Sequence, residues 1–217
     1  MSKRYLVIGA GRFGSSVAKT LFELGHEVVV VDKDVARVQQ MSELVTKTVQ
    51  ADATSEGGLN SLGTADFDVA IVAIGGDIQA SIMASILLIE AGARYIVANA
   101  QTEMHGKTLA KIGVNRIVFP QRDMGQKLAH SLSAFNIVDL VELSSGSNVV
   151  EVIAPVDMVG RTLEDLKFRA LYGINVIALR SKDGTTNISP GAEDKISEGD
   201  IIIAVGEYKA LRKLGWV

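Results

Sequence analysis

The chain of 217 residues contains no cysteine and only three histidines, His26, His105 and His130. Without cysteine the protein has no disulfide, no thiolate nucleophile and no cysteine-ligated metal. The sequence also lacks a Ser–His–Asp order, a His-Glu-x-x-His motif and the lysine of a Walker phosphate-binding loop. These absences leave no recognisable reaction centre.

Long apolar runs and an excess of positive charge are also missing. The most apolar helical run, residues 82–91, is closed by Glu90 and is far shorter than the roughly 18 residues of a membrane span. The apolar residues 5–8 are too few for a signal peptide. The formal net charge of −3 argues against a nucleic-acid-binding protein. We therefore expect a soluble, cytoplasmic protein with no nucleic-acid partner.

What the first part of the chain does contain is a regular alternation of β-type and helical segments. Strands are expected at residues 5–8, 28–31, 47–50, 69–73, 95–98 and 116–119. Helices are expected at residues 12–24, 35–44, 56–62, 77–91, 104–112 and 123–132. Such β–α repetition predicts an α/β fold with a Rossmann-like, doubly wound parallel sheet.

The second part of the chain has a different pattern. β-type runs at 149–153, 176–179 and 200–205 accompany short helices at 162–166 and 208–214, and Asp183-Gly184 is a hairpin signal. This pattern predicts a small α+β domain, which buries little core alone and is expected to pair with a second copy. We place the nucleotide-binding domain at 1–120, connecting or dimerisation helices at 121–140, with a helix or crossover at 134–141, and the α+β domain at 141–217.

The turn after the first strand is Gly9-Ala10-Gly11-Arg12-Phe13-Gly14. In a strand–turn–helix context this G-x-G-x-x-G spacing is typical of dinucleotide-binding folds. Gly9 permits the tight turn, Gly11 lets the backbone approach a phosphate, and Gly14 lets helix and strand pack closely. The alternative is a glycine-rich turn without a ligand.

Charged residues near this turn suggest particular contacts. Asp32 ends the second strand, where a carboxylate accepts hydrogen bonds from ribose and disfavours NADP; the alternative is an ordinary strand-end aspartate. Arg12 would meet phosphate oxygens at close range, which suggests a ligand with terminal phosphates; the alternative is a solvated arginine at a helix start.

Polar residues follow three further strands at the edge where parallel sheets bind ligands. Asp52 could bind an adenine amino group, and Gly75 could let the backbone approach ribose. Asn99 and Gln101 follow the fifth strand, with His105 behind them. Each signal is weak alone, since an aspartate after a strand is often a helix cap and a single histidine is often structural.

Taken together, several segments resemble the RCK proteins of bacterial potassium uptake, of the KtrA and TrkA type. The resemblance covers nearly the whole chain. It rests on YLVIGAGRFGSSVAKTL, GHEVVVVDKD, QADAT, VAIVAIGGDIQASIMA, KIGVNRIVFPQRDMGQKLAHSL and LKFRALYGINVIAL.

The resemblance implies a regulatory protein rather than an enzyme. Such subunits form dimers and octameric rings on the cytoplasmic face of a membrane potassium-translocating subunit of the KtrB or TrkH kind, and they bind ATP or ADP, with NAD(H) a further possible ligand. The nucleotide contacts that it implies are Arg12, Asp32, Lys33, Asp34, Asp52, Ala53, Ile74, Gly75, Gly76, Asn99, Ala100, Gln101, His105 and Gln121.

The chain departs from its relatives at two of these positions. They often have glutamate where Gln121 stands, so a divalent or sodium ion site is in doubt, because an uncharged amide is a poorer cation ligand. They often have lysine where Asn99 stands, which weakens one phosphate contact. The C-terminal part resembles a domain that binds cyclic di-AMP in some relatives; the matching positions are Arg169, Ala170, Asn175, Val176 and Pro190.

Two alternatives remain from the residues alone. Asp32 suits NAD as well as ATP, so an NAD-dependent oxidoreductase or an NAD(H)-sensing protein would have the same opening motif. A free-standing nucleotide sensor acting on another channel or transporter is the second.

Overall fold

The computed structural model describes residues 2–55, 57, 59, 62–133, 137–144 and 146–216. It divides the chain into two compact units, Met1–Arg122 and Asp123–Val217. In the described part of the chain, no helix is both long and apolar enough to cross a membrane.

The first unit is a six-stranded parallel sheet with the strand order β3-β2-β1-β4-β5-β6. Its strands are β1 (Arg4–Ile8), β2 (Glu27–Asp32), β3 (Lys47–Gln50), β4 (Val69–Val72), β5 (Ile96–Asn99) and β6 (Arg116–Val118). Its helices are α1 (Arg12–Glu23), α2 (Val35–Met41), α3 (Ile78–Glu90) and α4 (Glu103–Ile112), and α5 (Pro120–Ser133) begins in this unit. The predicted Rossmann-like fold is confirmed. Of the helix predicted at 56–62, most residues lie outside the described ones.

Side-chain alternation in the central strands creates a core on each face of this sheet. Leu6 and Ile8 belong to one buried cluster, while Val7 belongs to the other. Phe13 and Val17 on α1 pack against the cluster that contains Val7. Because both faces are covered, β2 is a continuous run of four buried valines, as central parallel strands usually are.

The second unit is a five-stranded antiparallel sheet with the order β10-β9-β11-β8-β7. Its strands are β7 (Ile137–Ser144), β8 (Ser147–Ile153), β9 (Asn175–Arg180), β10 (Thr186–Asn187) and β11 (Ile201–Glu207), and its short helices are α6 (Leu163–Leu166), α7 (Phe168–Tyr172) and α8 (Tyr208–Lys213). Trp216 is fully buried in its core, with its ring 5.2 Å from that of Phe168. The predicted α+β class and the hairpin at Asp183-Gly184 are confirmed.

One expected element is wrong. The sequence predicts a helix or crossover at 134–141, but residues 137–144 form strand β7. The helical segment predicted at 121–140 is therefore wrong over its last residues. Residues 134–136 lie outside the described residues. The segment is rich in β-branched residues, and β8 offers it an antiparallel partner from Val152, opposite Ile137, to Ser147, opposite Ser144. Pairing with the long strand β8 determines that this segment is a strand, and the local sequence does not predict that pairing.

Candidate nucleotide site

A cavity of about 510 Å³ lies at the carboxyl ends of the parallel strands of the first unit. It collects most of the predicted site residues: Gly9, Gly11, Arg12, Phe13, Asp32, Lys33, Asp52, Ala53, Ile74, Gly75, Gly76, Asn99 and Gln121. These residues lie at or just beyond the carboxyl ends of all six strands, some in loops and others on a strand end or on the first turn of the next helix. Doubly wound sheets bind ligands at this edge.

The glycine turn builds one wall of the cavity. Gly9 has φ +99°, and a Cβ there would lie 3.0 Å from the carbonyl oxygen of Ala73. Gly11 is the N-cap of α1 and offers no side-chain cap, and a Cβ on it would meet nothing within 4 Å. The first N–H groups of α1 are therefore free of a cap at an open surface, the arrangement that favours an anion.

Gly14 has the packing role expected from the sequence, but it is not a cavity contact. It is buried on α1 and does not line the cavity, and a Cβ on it would overlap the carbonyl oxygen of Gly9. Its contribution is to let α1 approach the turn closely.

Asp32 fixes the backbone of the glycine turn by hydrogen bonds. Its side chain is nearly buried; one carboxylate oxygen accepts from the N–H of Ala10 at 2.7 Å and the other from the N–H of Asp34 at 2.9 Å. The guanidinium of Arg37 lies 3.7 Å from the first oxygen. Asp34 is not a cavity residue, because its carboxylate caps α2 through the N–H of Ala36 at 2.9 Å.

Three cations line the same side of the cavity: Arg12, Lys33 and Arg37. Sequence reasoning missed Arg37. The sequence signal for Arg37 was its position on the first turn of α2, three residues after Asp34. There the Arg37 guanidinium lies 3.5 Å from the Asp34 carboxylate and 3.7 Å from that of Asp32.

Asp52 stands beyond the next strand. Its carboxylate accepts from the hydroxyl of Thr54 at 2.6 Å and from the N–H of the same residue at 2.9 Å. These hydrogen bonds, more than the nearby charge of Lys33, hold the pKa of Asp52 below its ordinary value, so the group stays ionised. Thr54 also lines the cavity and was not predicted.

The opposite wall begins at α3. Asp77 caps this helix by accepting from the N–H of Ala80 at 3.0 Å, and both residues line the cavity without having been predicted. The start of α3 therefore already has a carboxylate of its own, whereas the start of α1 has none. A phosphate is better accommodated at α1.

Three predicted contacts are not among the residues that line the cavity: Ala100, Gln101 and His105. Ala100 is buried in the core. The side-chain amide of Gln101 donates to the carbonyl oxygen of Gly75, and its N–H donates to Nδ1 of His105 at 3.3 Å. His105 is 2% exposed, and burial lowers its pKa. These residues support the wall and do not form it, which corrects the expected contacts.

The residues matched to a cyclic di-AMP site lie in the second unit. Arg169 and Ala170 are exposed on α7, Asn175 and Val176 begin β9, and Pro190 lies in the loop that precedes β11. Their ligand stays a prediction. Among the described residues, no group of three or more His, Cys, Asp or Glu side chains could hold a metal ion.

Comparisons with known proteins agree with this architecture. The TrkA-N domain model matches residues 5–120, and the TrkA-C domain model matches residues 149–215. Over 206 residues the chain is 42% identical to the Ktr system potassium uptake protein C of Bacillus subtilis, covering 95% of this chain and 93% of that protein. It is 40% identical over 212 residues to the Ktr system potassium uptake protein A of the same organism, covering 98% and 95%.

Solved structures show the same fold. The RCK domain of GsuK superposes with a TM-score of 0.71 at 17% identity, covering 100% of this chain and 47% of that one. The GsuK channel bound to NAD superposes with a TM-score of 0.54 at 25% identity, covering 98% and 38%. The chain thus spans less than half the length of either solved chain.

The fold and the site define an RCK-type protein, with a Rossmann domain followed by a small α+β domain. Within that class, the chain belongs to the TrkA-N and TrkA-C domain family of Ktr and Trk potassium uptake proteins. The predicted family is confirmed.

Proposed function

We propose that this chain is the cytoplasmic, nucleotide-binding regulatory subunit of a potassium uptake system. The observation that carries the proposal is the uncapped start of α1 above the glycine turn, with Arg12 beside it, in a chain of the Ktr and Trk family. The ligand is an adenine nucleotide, and its binding regulates transport rather than driving a reaction in this chain.

The charges of the cavity orient the nucleotide. The diphosphate lies on the N–H groups of α1, since the start of α3 is occupied by Asp77. The ribose lies towards Asp32, whose carboxylate oxygens have lone pairs left after binding one turn amide each. The adenine lies towards Asp52, which is ionised and accepts from an amino group.

The switch is the terminal phosphate of ATP. It adds charge near Arg12, the cation at the start of α1, and so gives ATP an interaction that ADP lacks. A ligand shifts a conformational equilibrium only by its difference in affinity for the two states. Coupling energies between sites are typically about 1–3 kcal/mol, which is enough for about a five- to 150-fold effect.

The partner is a membrane potassium-translocating subunit, as the names of the Bacillus subtilis relatives suggest. The subunit works as a homo-oligomer, from a dimer to an octameric ring, at the inner face of the membrane. Gln121 lines the cavity at the start of α5, and this helix continues into the second unit, so a ligand contact there acts on the connecting segment. Gln121 has no charge to hold a divalent or sodium ion.

The test is isothermal titration of ATP and ADP into the full chain and into Arg12→Ala. ATP affinity should fall by more than ADP affinity, because only ATP loses its terminal contact. Arg94→Ala is the matched control, since Arg94 is exposed and lies outside the cavity lining. Equal losses for the two nucleotides would count against the switch.

An assay of hydride transfer distinguishes the regulatory function from that of an NAD-dependent oxidoreductase. Oxidation or reduction of a nicotinamide by the purified chain, followed by absorbance, would contradict a purely regulatory role. Mass spectrometry of the ligand retained after purification distinguishes ATP, ADP and NAD(H) directly.

A further inference from the structure

Arg122 lies on the first turn of α5, next to the cavity residue Gln121, but it does not itself line the cavity. Its guanidinium meets two other side chains. Nη1 lies 2.5 Å from a carboxylate oxygen of Glu103, and Cζ lies 4.0 Å from the centroid of the Phe119 ring. Arg122 is therefore engaged outside the cavity, while its neighbour in the chain lines it.

Glu103, the ion-pair partner, belongs to a helix end whose position is fixed. It is the first residue of α4 and directly follows Thr102, whose hydroxyl caps the helix by accepting from the N–H of His105 at 3.1 Å. A carboxylate on the first turn is also favoured by the helix dipole. The ion pair therefore ties the start of α5 to a capped helix start.

Phe119, the stacking partner, is held by the same helix. It lies between β6 and α5 and packs against the core of the sheet. Gly106 is buried on α4, and a Cβ on it would lie 2.5 Å from Cζ of the Phe119 ring. The ring therefore packs directly against the backbone of α4. We call Glu103, Gly106, Phe119 and Arg122 the α4–α5 clamp.

Burial does not fix the first turn of α5. At positions 121–129 every residue is exposed. The side chains of Arg122 and Glu103 are 45% and 68% exposed, so their ion pair adds little to the stability of the whole chain. Such a pair can still determine where an exposed turn lies. A guanidinium suits this task, because its flat face stacks on a ring while its N–H groups donate to a carboxylate.

We infer that Arg122 is a positioning residue of the nucleotide site: through the α4–α5 clamp it fixes the first turn of α5 and so holds Gln121 in the wall of the cavity. This inference rests on the proposed nucleotide function and deepens it. Arg122 acts on the ligand through Gln121, because its own guanidinium is engaged by Glu103 and Phe119. Without the clamp the first turn of α5 moves more freely, and the nucleotide loses its contact with Gln121.

The experiment is a double-mutant cycle in which ATP is titrated into the full chain, Gln121→Ala, Arg122→Ala and the double variant. We expect Gln121→Ala to weaken ATP binding about two- to tenfold, the range of one net hydrogen bond. Arg122→Ala should weaken it about threefold. In the Gln121→Ala background the loss of Arg122 should have no further effect, because the contact that Arg122 positions is already gone.

Arg4→Ala is the matched control. Arg4 also combines an ion pair, 3.1 Å from Glu27, with a ring contact, 5.0 Å from the centroid of Phe67, and its side chain is 42% exposed. It begins β1, so it lies at the opposite end of that strand from the cavity. Arg4→Ala should lower the urea midpoint about as much as Arg122→Ala does and leave ATP affinity unchanged.

Glu103→Gln separates positioning from long-range electrostatics. It removes a negative charge outside the cavity lining, so electrostatics alone would make the anionic nucleotide bind more tightly. The α4–α5 clamp predicts the opposite, because the ion pair that fixes Arg122 is lost. We therefore expect ATP to bind about twofold more weakly to Glu103→Gln.

The outcomes are distinct. A wild-type chain that binds neither ATP nor ADP refutes the proposed function itself. ATP affinity that is unchanged in Gln121→Ala or in Arg122→Ala overturns the positioning role and leaves nucleotide binding intact. An Arg122→Ala loss of equal size in both backgrounds, or tighter ATP binding in Glu103→Gln, overturns it as well.

Discussion

Alanine at position 14 would place a methyl group where the structure leaves no room. Its Cβ would overlap the carbonyl oxygen of Gly9 and lie 2.9 Å from Cβ of Ala73. Neither neighbour can rotate away, because one is backbone and the other is a single methyl. Relief requires α1 to move away from the sheet.

The cost follows from two opposing effects. Overpacking of this kind costs about 1–3 kcal/mol, and a rigid backbone contact belongs at the upper end. Alanine in a helix interior is favoured over glycine by about 1 kcal/mol. Gly14→Ala should therefore lower the free energy of unfolding by about 2 kcal/mol and weaken nucleotide binding, because the displaced helix start no longer meets the phosphates.

Gly11→Ala is the matched control on the same turn. Its Cβ meets nothing within 4 Å and its φ of −71° suits any residue, so the fold should lose less than about 1 kcal/mol. The methyl group nevertheless stands where a phosphate approaches, so ADP affinity should fall about tenfold, or about 1.4 kcal/mol.

Urea unfolding followed by circular dichroism, together with titration of ADP, measures both effects. Gly14→Ala should change the urea midpoint and the affinity, and Gly11→Ala mainly the affinity. A Gly14→Ala protein as stable as the wild type would refute the packing argument. Unchanged ADP binding in Gly11→Ala would refute the position of the phosphates.

Three further predictions concern the residues around the cavity. Thr54→Val removes a hydroxyl donor from Asp52, so the pKa of Asp52 should rise towards its ordinary value of 3.8 in an NMR titration. The stability that the two hydrogen bonds from Thr54 to Asp52 provide is present above pH 3.8 and is lost as the pH falls below it. Burial lowers the pKa of His105 below its ordinary 6.5, so the unfolded chain binds the proton more readily than the folded chain. The free energy of unfolding should therefore fall as the pH drops below 6.5. In His105→Gln this fall should be smaller between about pH 7.5 and about pH 5.5. Gln101→Leu frees the carbonyl oxygen of Gly75, which lines the cavity, and ADP affinity should fall about threefold with little change in the urea midpoint.

The sheet could be predicted because its strands are specified locally. The continuous apolar run of β2 and the glycine turn after β1 each require a particular backbone conformation, so residues 28–31 and the start of α1 are predicted close to their observed bounds. Strand β7 could not be predicted in this way, since its conformation depends on pairing with β8 and the residues themselves do not exclude a helix.

The site residues likewise fall into those that the sequence predicts and those that it does not. Residues at a strand end or just beyond it, such as Asn99 and Asp52, are brought to the cavity by the topology alone, and the sequence predicts them. Arg37 and Asp77 depend on how a helix starts: the first turn of α2 carries Arg37 towards Asp32, and Asp77 enters the wall because it caps α3. The spacing of the glycine turn predicts neither residue.

His105 shows the opposite failure, in which a plausible ligand residue is a supporting one. Its Nδ1 accepts from the N–H of Gln101, and the Gln101 side chain in turn holds Gly75 in the wall, so the histidine acts on the cavity only through two intermediate groups. A sequence shows which residues are near a strand end but not which of them face the solvent. In this fold the last residue of the strand, Asn99, lines the cavity, while α4 turns His105, six positions later, into the interior. The cavity is therefore lined at this strand end by an uncharged amide and not by a titrating imidazole, and we expect His105 to give nucleotide binding no pH dependence between 6 and 8, about the range in which a free histidine would change charge.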